Sequence, residues 1–238
     1  MIVTACNIFD KAKDLLPHYF NHYSNMGINK FFFGIYGEEN SHLWDEVRKF
    51  GSGLDISIYK MESIDGFVTK DAEFKTKIGK SFDGWIIPTD LDEFHTVQGY
   101  ATFQQLQQKC EEENVDYISS TFVDHIRQDN TIPRNIEENI SIWKQFPKTA
   151  LITQNILEGC CKKICMVKSG IELFAGHHIL NPNYKKLSIE AETHHFKWWG
   201  NLKEREQKKL NIYTKYGLLW KTENEKLINY LNISGSFF

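Results

Sequence analysis

The stretch Trp85-Ile-Ile-Pro-Thr-Asp-Leu-Asp-Glu-Phe-His-Thr-Val97 sets an apolar run directly against three acids, Asp90, Asp92 and Glu93. Residues 85–88 carry no charge and suit a strand running through a sheet, which puts Asp90 at or just past its carboxyl end. Open parallel sheets bind their ligands outside the carboxyl ends of the strands. In an extended or gently turning backbone, residues two apart point the same way, so Asp90 and Asp92 can converge. Two carboxylates that close repel, and one takes up a proton unless a cation neutralises the pair. A divalent ion is one resolution, because Mg²⁺ and Mn²⁺ favour carboxylate oxygens and keep positions open for phosphate and water. An acidic surface turn, with Thr89 or Asp92 capping the helix near Thr102, is the other. The D-x-D spacing alone does not choose between them.

Outward from this strand the chain alternates. Residues 1–9 and 30–36 are apolar runs too short for helices, and residues 55–59 give a third strand. Between them, residues 10–27 place Leu15, Leu16, Tyr19, Phe20, Tyr23 and Met26 at helical spacing, with Gly27 as the stop. Residues 41–50 and the lysine-rich 71–80 complete a β-α-β-α-β-α-β order with short connections. That order predicts an α/β fold with a mostly parallel central sheet flanked by helices. Further on, 102–114, 202–216 and 223–231 read as helices, and 116–122, 150–156 and 163–168 as strands. No repeat, low-complexity tract or flexible linker divides the chain, so a single domain over residues 1–238 is expected.

With 238 residues the chain can bury a sizeable core without staples. A hydrophobic content of 41% with 25% charged residues is ordinary for a globular protein, and a net charge of −3 gives nucleic-acid binding no support. The first residues do not read as a signal peptide, and no apolar run approaches the roughly 20 residues of a membrane span. A cytoplasmic protein without a transmembrane segment is therefore expected. The odd cysteine set suits a reducing compartment, and Cys160-Cys161-Lys-Lys-Ile-Cys165 lacks the second half of a zinc site.

The run W-I-I-P-T-D-L-D-E-F resembles the D-x-D strand of GT-A-fold glycosyltransferases, closest to a family-2-like branch in which "DxDEF" follows a Trp- or Phe-led strand. Ala5-Cys6-Asn7 through Asn29-Lys30-Phe31-Phe32-Phe33 is similar to that branch's opening strand, helix and second strand. Gly176-His177-His178 and His194-His195-Phe196-Lys197-Trp198 resemble its "GHH" and "HFKW" segments. The resemblance implies a GT-A (Rossmann-like) domain, with its nucleotide-sugar half over about residues 1–100 and its acceptor half over about 101–238. It implies a hexosyltransferase-like enzyme of glycan biosynthesis. A sugar would pass from a nucleoside diphosphate, a UDP-sugar foremost, to the hydroxyl of a glycan, lipid-linked or protein acceptor, with inversion. A lipid-linked acceptor would place the protein peripherally at a membrane. Asp90 and Asp92 would hold Mn²⁺ or Mg²⁺ against the donor diphosphate, and His195 would be the third metal ligand. Asp90 and Lys197 would contact the donor, and Asn7 and Asp10 would lie under the nucleoside; independently of the resemblance, Arg205, one helical turn beyond the HFKW segment, is the basic residue of the tail that could reach the donor. Asn7 is followed by Ile8, where relatives more often carry an acid.

Apart from the resemblance, an extended His194–Trp198 segment would put His195 and Lys197 on one face and Phe196 and Trp198 on the other. The alternative is a strand of half-exposed histidines and core tryptophans. His177 and His178 could line the pocket or simply pack. Acceptor activation by an inverting enzyme needs a base, and Asp124 and Glu158 are the candidates, each open to a plain surface or capping role. Two other functions fit the same fold. A sugar-nucleotide nucleotidyltransferase would normally carry a glycine-rich loop after the first strand, and residues 6–13 contain no glycine. A non-catalytic carbohydrate-binding or interaction protein would leave the acids exposed and without metal.

Overall fold

A computed structural model of the chain describes residues 2–8, 10–36, 42–64, 67–68, 70–178 and 180–234. Its elements run β1 (Ile2–Ile8), a 3-10 turn (Asp10–Leu15), α1 (Leu16–Asn25), β2 (Lys30–Tyr36), α2 (Leu43–Phe50), β3 (Asp55–Met61), β4 (Ser63–Ile64) and β5 (Phe67–Val68). Then come α3 (Asp71–Gly79), β6 (Trp85–Asp90), β7 (Glu93–Val97), α4 (Phe103–Glu112) and β8 (Tyr117–Ile126). The chain continues through α5 (Ile142–Gln145), β9 (Lys148–Ala150), α6 (Ile152–Asn155), β10 (Lys162–Lys168), β11 (Ala191–His195), α7 (Leu202–Tyr216) and α8 (Lys221–Ser234).

The fold is α/β, and its main sheet has the order β3-β2-β1-β6-β10-β8-β11-β7. The first four strands are parallel, with Phe31 of β2 opposite Val3 of β1, and Cys6 of β1 opposite Asp90 of β6. Beyond β6 the pairing reverses: β10 is antiparallel to both β6 and β8, and β9 is antiparallel to β8. The sheet is thus parallel on one side and mixed overall, rather than mostly parallel throughout. Parallel pairs need crossover connections, which α1, α2 and α3 supply between β1, β2, β3 and β6.

Burial explains the element types. In β2 every residue from Phe31 to Tyr36 is buried, as a strand covered on both faces must be, so it reads as one continuous apolar run. α1 buries Leu16, Tyr19, Phe20 and Tyr23 at three- and four-residue spacing, and these rings meet Phe31 and Phe33 of β2 and Phe94 of β7. Each such ring removed from water contributes roughly 1.5–3 kcal/mol. β3, at the sheet edge, is half exposed and carries Asp55 and Lys60, which discourage further strand addition. α4 begins at a capping box, where Thr102 accepts from the Gln105 amide and Gln105 returns a bond to the Thr102 amide.

Residues 150–156, expected as a strand, instead contain the short helix α6, and only Lys148–Ala150 pairs with β8. β7 was not expected as a separate strand, and the extended segment expected over 194–198 is a strand, β11, only as far as His195; both carry buried polar residues, His95 and Thr193, that break the apolar signal. By contact density the chain forms two compact units, Met1–Phe122 with Lys162–His194, and Val123–Cys161 with His195–Phe238. Each draws on two separate stretches of sequence. The first has a core that includes Phe32, Phe74, Ile86, Ile164 and Leu173; the second includes Ile126, Ile152, Trp198, Leu202 and Leu227. Among the described residues no helix is long and apolar enough to cross a membrane.

Candidate functional site

In the first unit the acids of the opening stretch meet cations that the local sequence does not announce. Asp90 ends β6, Asp92 lies half-buried on the tight turn after it, and Glu93 opens β7. The turn is pinned from α1: the Tyr23 hydroxyl donates to the Glu93 carbonyl at 2.9 Å, and the Glu93 side chain accepts from the Asp90 amide at 3.2 Å.

Two buried lysines face the carboxylates. Lys75, from α3 and 0% exposed, donates to Asp90 Oδ1 at 2.7 Å and lies 3.1 Å from Asp71 Oδ2, one helical turn away. Lys163, from β10 and 3% exposed, lies 2.6 Å from Glu93 Oε1 and 3.6 Å from Asp90 Oδ2. His177 completes the group. Gly176 and His177 both have positive φ, 77° and 51°, in the turn that brings the His177 ring into the cluster; a Cβ at Gly176 would stand 2.6 Å from the His178 ring. Its Nδ1 is 3.5 Å from Lys75 Nζ, and because an ammonium only donates, Nδ1 accepts and the proton sits on Nε2. Nε2 is fully buried 3.2 Å from Asp71 Oδ2 but is not aligned for a hydrogen bond.

The charges fix one another. Burial, the largest single influence on Asp90, would raise its pKa, yet Lys75, Lys163 and the Lys75 hydrogen bond together hold the carboxyl far below the usual range. Burial likewise opposes the Lys163 ammonium, and Glu93 and Asp90 overturn it, so its pKa rises. His177 is driven well below its ordinary value by burial and by the two lysines, and stays neutral. The cluster then sums to Asp71, Asp90 and Glu93 against Lys75 and Lys163, a single net negative charge. The members that reach solvent are the carboxylates, with the Asp90 side chain 22% exposed and that of Asp71 17%.

The expected metal set was Asp90, Asp92 and His195. Among the described residues, the group whose ligand atoms converge within 4.8 Å is instead Asp71, Asp90 and His177. Its donor chemistry, two carboxylates and an imidazole, would suit Mn²⁺ or Mg²⁺. The space between them, however, is filled by the Lys75 ammonium, which contacts all three. As built, this set does not fit a divalent ion.

In the second unit Asp124, near the end of β8, is 1% exposed. Its Oδ1 accepts from His195 Nδ1, Trp198 Nε1 and Thr153 Oγ1, each at 3.0 Å, and its Oδ2 accepts from the Thr153 amide at 2.7 Å. Burial raises its pKa, but the His195 and Thr153 bonds outweigh that and leave it depressed. A carboxylate holding four donors orients its partners, and the expected base role for Asp124 has no such support. What it orients is His195, whose Nδ1 donates to the carboxylate and so fixes the ring. β11 ends at His195; Phe196 and Trp198 are buried as expected, and so is Trp199.

The other expected contacts are placed as follows. Arg205 donates from Nη2 to the Lys197 carbonyl at 2.8 Å and from Nη1 to the Trp199 carbonyl at 3.3 Å, and its Nε bonds Glu206. It braces the turn after β11 and offers little to a donor. Lys197 is half-buried with its ammonium 5.4 Å over the Trp198 ring. Glu158 is exposed and paired with Lys226 at 2.6 Å. Asn7 lies on β1 one residue beyond the Cys6–Asp90 pair, at the same strand edge, and Asp10 opens the 3-10 turn; their side chains lie outside the described structure.

Asp71, Lys75 and Lys163 were not singled out from the sequence. The only local signal was the four-residue spacing of Asp71 and Lys75, which is usual for solvated helix pairs.

No family model matches the chain, and no curated protein does. Solved structures with a related chain course include HddC from Yersinia pseudotuberculosis complexed with GMP-PN, at 9% identity and a TM-score of 0.42, covering 82% of this chain and 92% of that one. S. aureus TarS 1–349 gives 11% identity and a TM-score of 0.42 over 98% of this chain and 72% of that one. A UDP-glucose pyrophosphorylase complexed with UDP-glucose gives 8% and 0.31, over 71% of this chain and 67% of that one.

Proposed function

We propose that the protein is a sugar-nucleotide-dependent glycosyltransferase that moves a sugar from a nucleoside diphosphate to a hydroxyl acceptor. The observation that supports this most is Asp90: an ionised, partly exposed carboxylate fixed by two buried lysines at the carboxyl end of a central parallel strand. Ligands of open α/β sheets lie at that edge. A carboxylate already held in place accepts hydrogen bonds from vicinal hydroxyls of a ribose or hexose without reorganising, and charge-assisted bonds of this kind are about twice as strong as neutral ones. Asp92, on the adjoining turn, adds a second half-buried acceptor. Because the cluster carries net negative charge, the hydroxyl-bearing part of the donor, rather than its phosphates, is the part that meets Asp90.

The test is a screen of UDP-, GDP- and CMP-sugars by thermal shift, with and without Mn²⁺, followed by product analysis. A donor should raise the melting temperature of the wild type and not that of Asp90→Asn. Release of nucleoside diphosphate marks glycosyl transfer, whereas pyrophosphate would mark nucleotidyl transfer. Binding without any turnover, across acceptors of each class, would leave only the carbohydrate-binding reading.

A further inference from the structure

The group that looks most like a metal site already contains a cation. Lys75 Nζ stands 2.7 Å from Asp90 Oδ1, 3.1 Å from Asp71 Oδ2 and 3.5 Å from His177 Nδ1. An ammonium has three N–H donors, and here three acceptors from three separate elements surround it. They are the same three residues whose ligand atoms lie within 4.8 Å of one another. The lysine is wholly buried, so it is not a surface side chain that has drifted in. It projects from a helix that also supplies Asp71, and Phe74 and Ile78 of that helix are seated in the core. Removing the ammonium from this position would leave the two acids facing each other with only Lys163 at the far side of Asp90.

We propose that Lys75 is the resident cation of the Asp71–Asp90–His177 group and takes the place a divalent metal would otherwise occupy. The wild-type protein therefore loads no divalent ion at these residues, and Asp90 is held in its working position without one. The placement of the cation stands on geometry alone. Its functional consequence, donor binding at Asp90 that needs no metal, rests on the transferase reading above.

The decisive experiment measures Mn²⁺ binding to the full chain by electron paramagnetic resonance and calorimetry with no nucleotide present, so its result is independent of that reading. Wild type should show no saturable Mn²⁺ site that depends on His177. Lys75→Ala, which vacates the centre and adds one net negative charge, should gain a saturable site, and adding His177→Ala or Asp71→Asn should abolish it. If Lys75→Ala does not fold, Mn²⁺ should restore its circular dichroism spectrum, and Lys75→Met, which keeps most of the volume, should not be restored. Two results overturn the proposal: a Mn²⁺ site in wild type that His177→Ala removes, or a Lys75→Ala protein that gains neither a site nor rescue.

Discussion

Asp90 and Asp124 are both carboxylates at the ends of sheet strands, one in each compact unit, and the chain keeps them ionised by different means. Asp90 is opposed by charge, with an ammonium on each oxygen. Asp124 is opposed by hydrogen bonds, with a backbone amide, a hydroxyl, an indole and an imidazole as its donors. Charge neutralisation leaves a carboxylate partly open to solvent and able to accept more bonds. Saturation by donors closes it and turns it into a frame for its neighbours. Under the proposed function, Asp90 is the residue open to a ligand, and Asp124 holds His195.

The contrast is most easily broken at Asp124. Asp124→Ala strands buried donors on Thr153, Trp198 and His195, and should cost about 3–5 kcal/mol in urea unfolding. A loss below about 1 kcal/mol would mean that the donors find other partners and that the frame is not needed.

Acid should act next, and chiefly on the first unit. His95 of β7 is buried and neutral, its pKa lowered from 6.5 to about 3 by burial, with the Lys163 charge acting in the same direction. A base depressed in the folded state stabilises above its unfolded pKa, and that stability is lost as pH falls toward the folded value. Between pH 6.5 and 4 the unfolded chain takes up a proton that folded His95 refuses, a loss of about 3 kcal/mol. His22, lowered to about 4, adds in the same direction. His95→Gln should flatten the pH dependence of unfolding over this range, and an unchanged slope would show that His95 is not the group responsible.

Lys75→Met should cost about 2 kcal/mol at neutral pH, a buried-pair value reduced because Asp90 reaches solvent. The depressed Asp90 contributes its stability above the unfolded carboxylate pKa of about 4 and loses it as pH falls below that. The cost of Lys75→Met should therefore shrink on acidification below pH ~4; Asp124 is depressed too, so the cost of Asp124→Ala should also fall there, but the part set by stranded donors should remain. Equal pH dependence of the two would erase the distinction. The smallest effect is a control away from both carboxylates: Thr102→Ala removes the α4 cap and should cost about 1 kcal/mol at any pH.

Much of the first unit was readable along the chain because its order is local. The apolar runs at 30–36 and 85–90, the face of α1 and the helix from Asp71 all follow simple periodicities. Asp90 was readable for the same reason: charge at the end of an apolar strand demands a partner. The partners were not readable. A lysine buried in α3 and another in β10 run against the usual exposure of that residue, and only the tertiary fold brings them to Asp90. The second unit was harder still. Residues 150–156 look like a strand, yet Asp124, 29 positions away in sequence, bonds the Thr153 amide in the first turn of α6 and so satisfies a helix terminus that no nearby residue caps. Asp124 itself drew notice as an acid at a strand end, and nothing local distinguished a base from a frame.

An open, ionised Asp90 that accepts a sugar nucleotide must lose the donor when its charge is removed. The most direct measurement is calorimetric titration of wild type and Asp90→Asn with the donor that gives the largest thermal shift. Saturable binding to wild type and its loss in Asp90→Asn are expected, with both proteins giving the same circular dichroism spectrum. Equal affinity for the two proteins, or no sugar nucleotide bound by wild type at all, would contradict it.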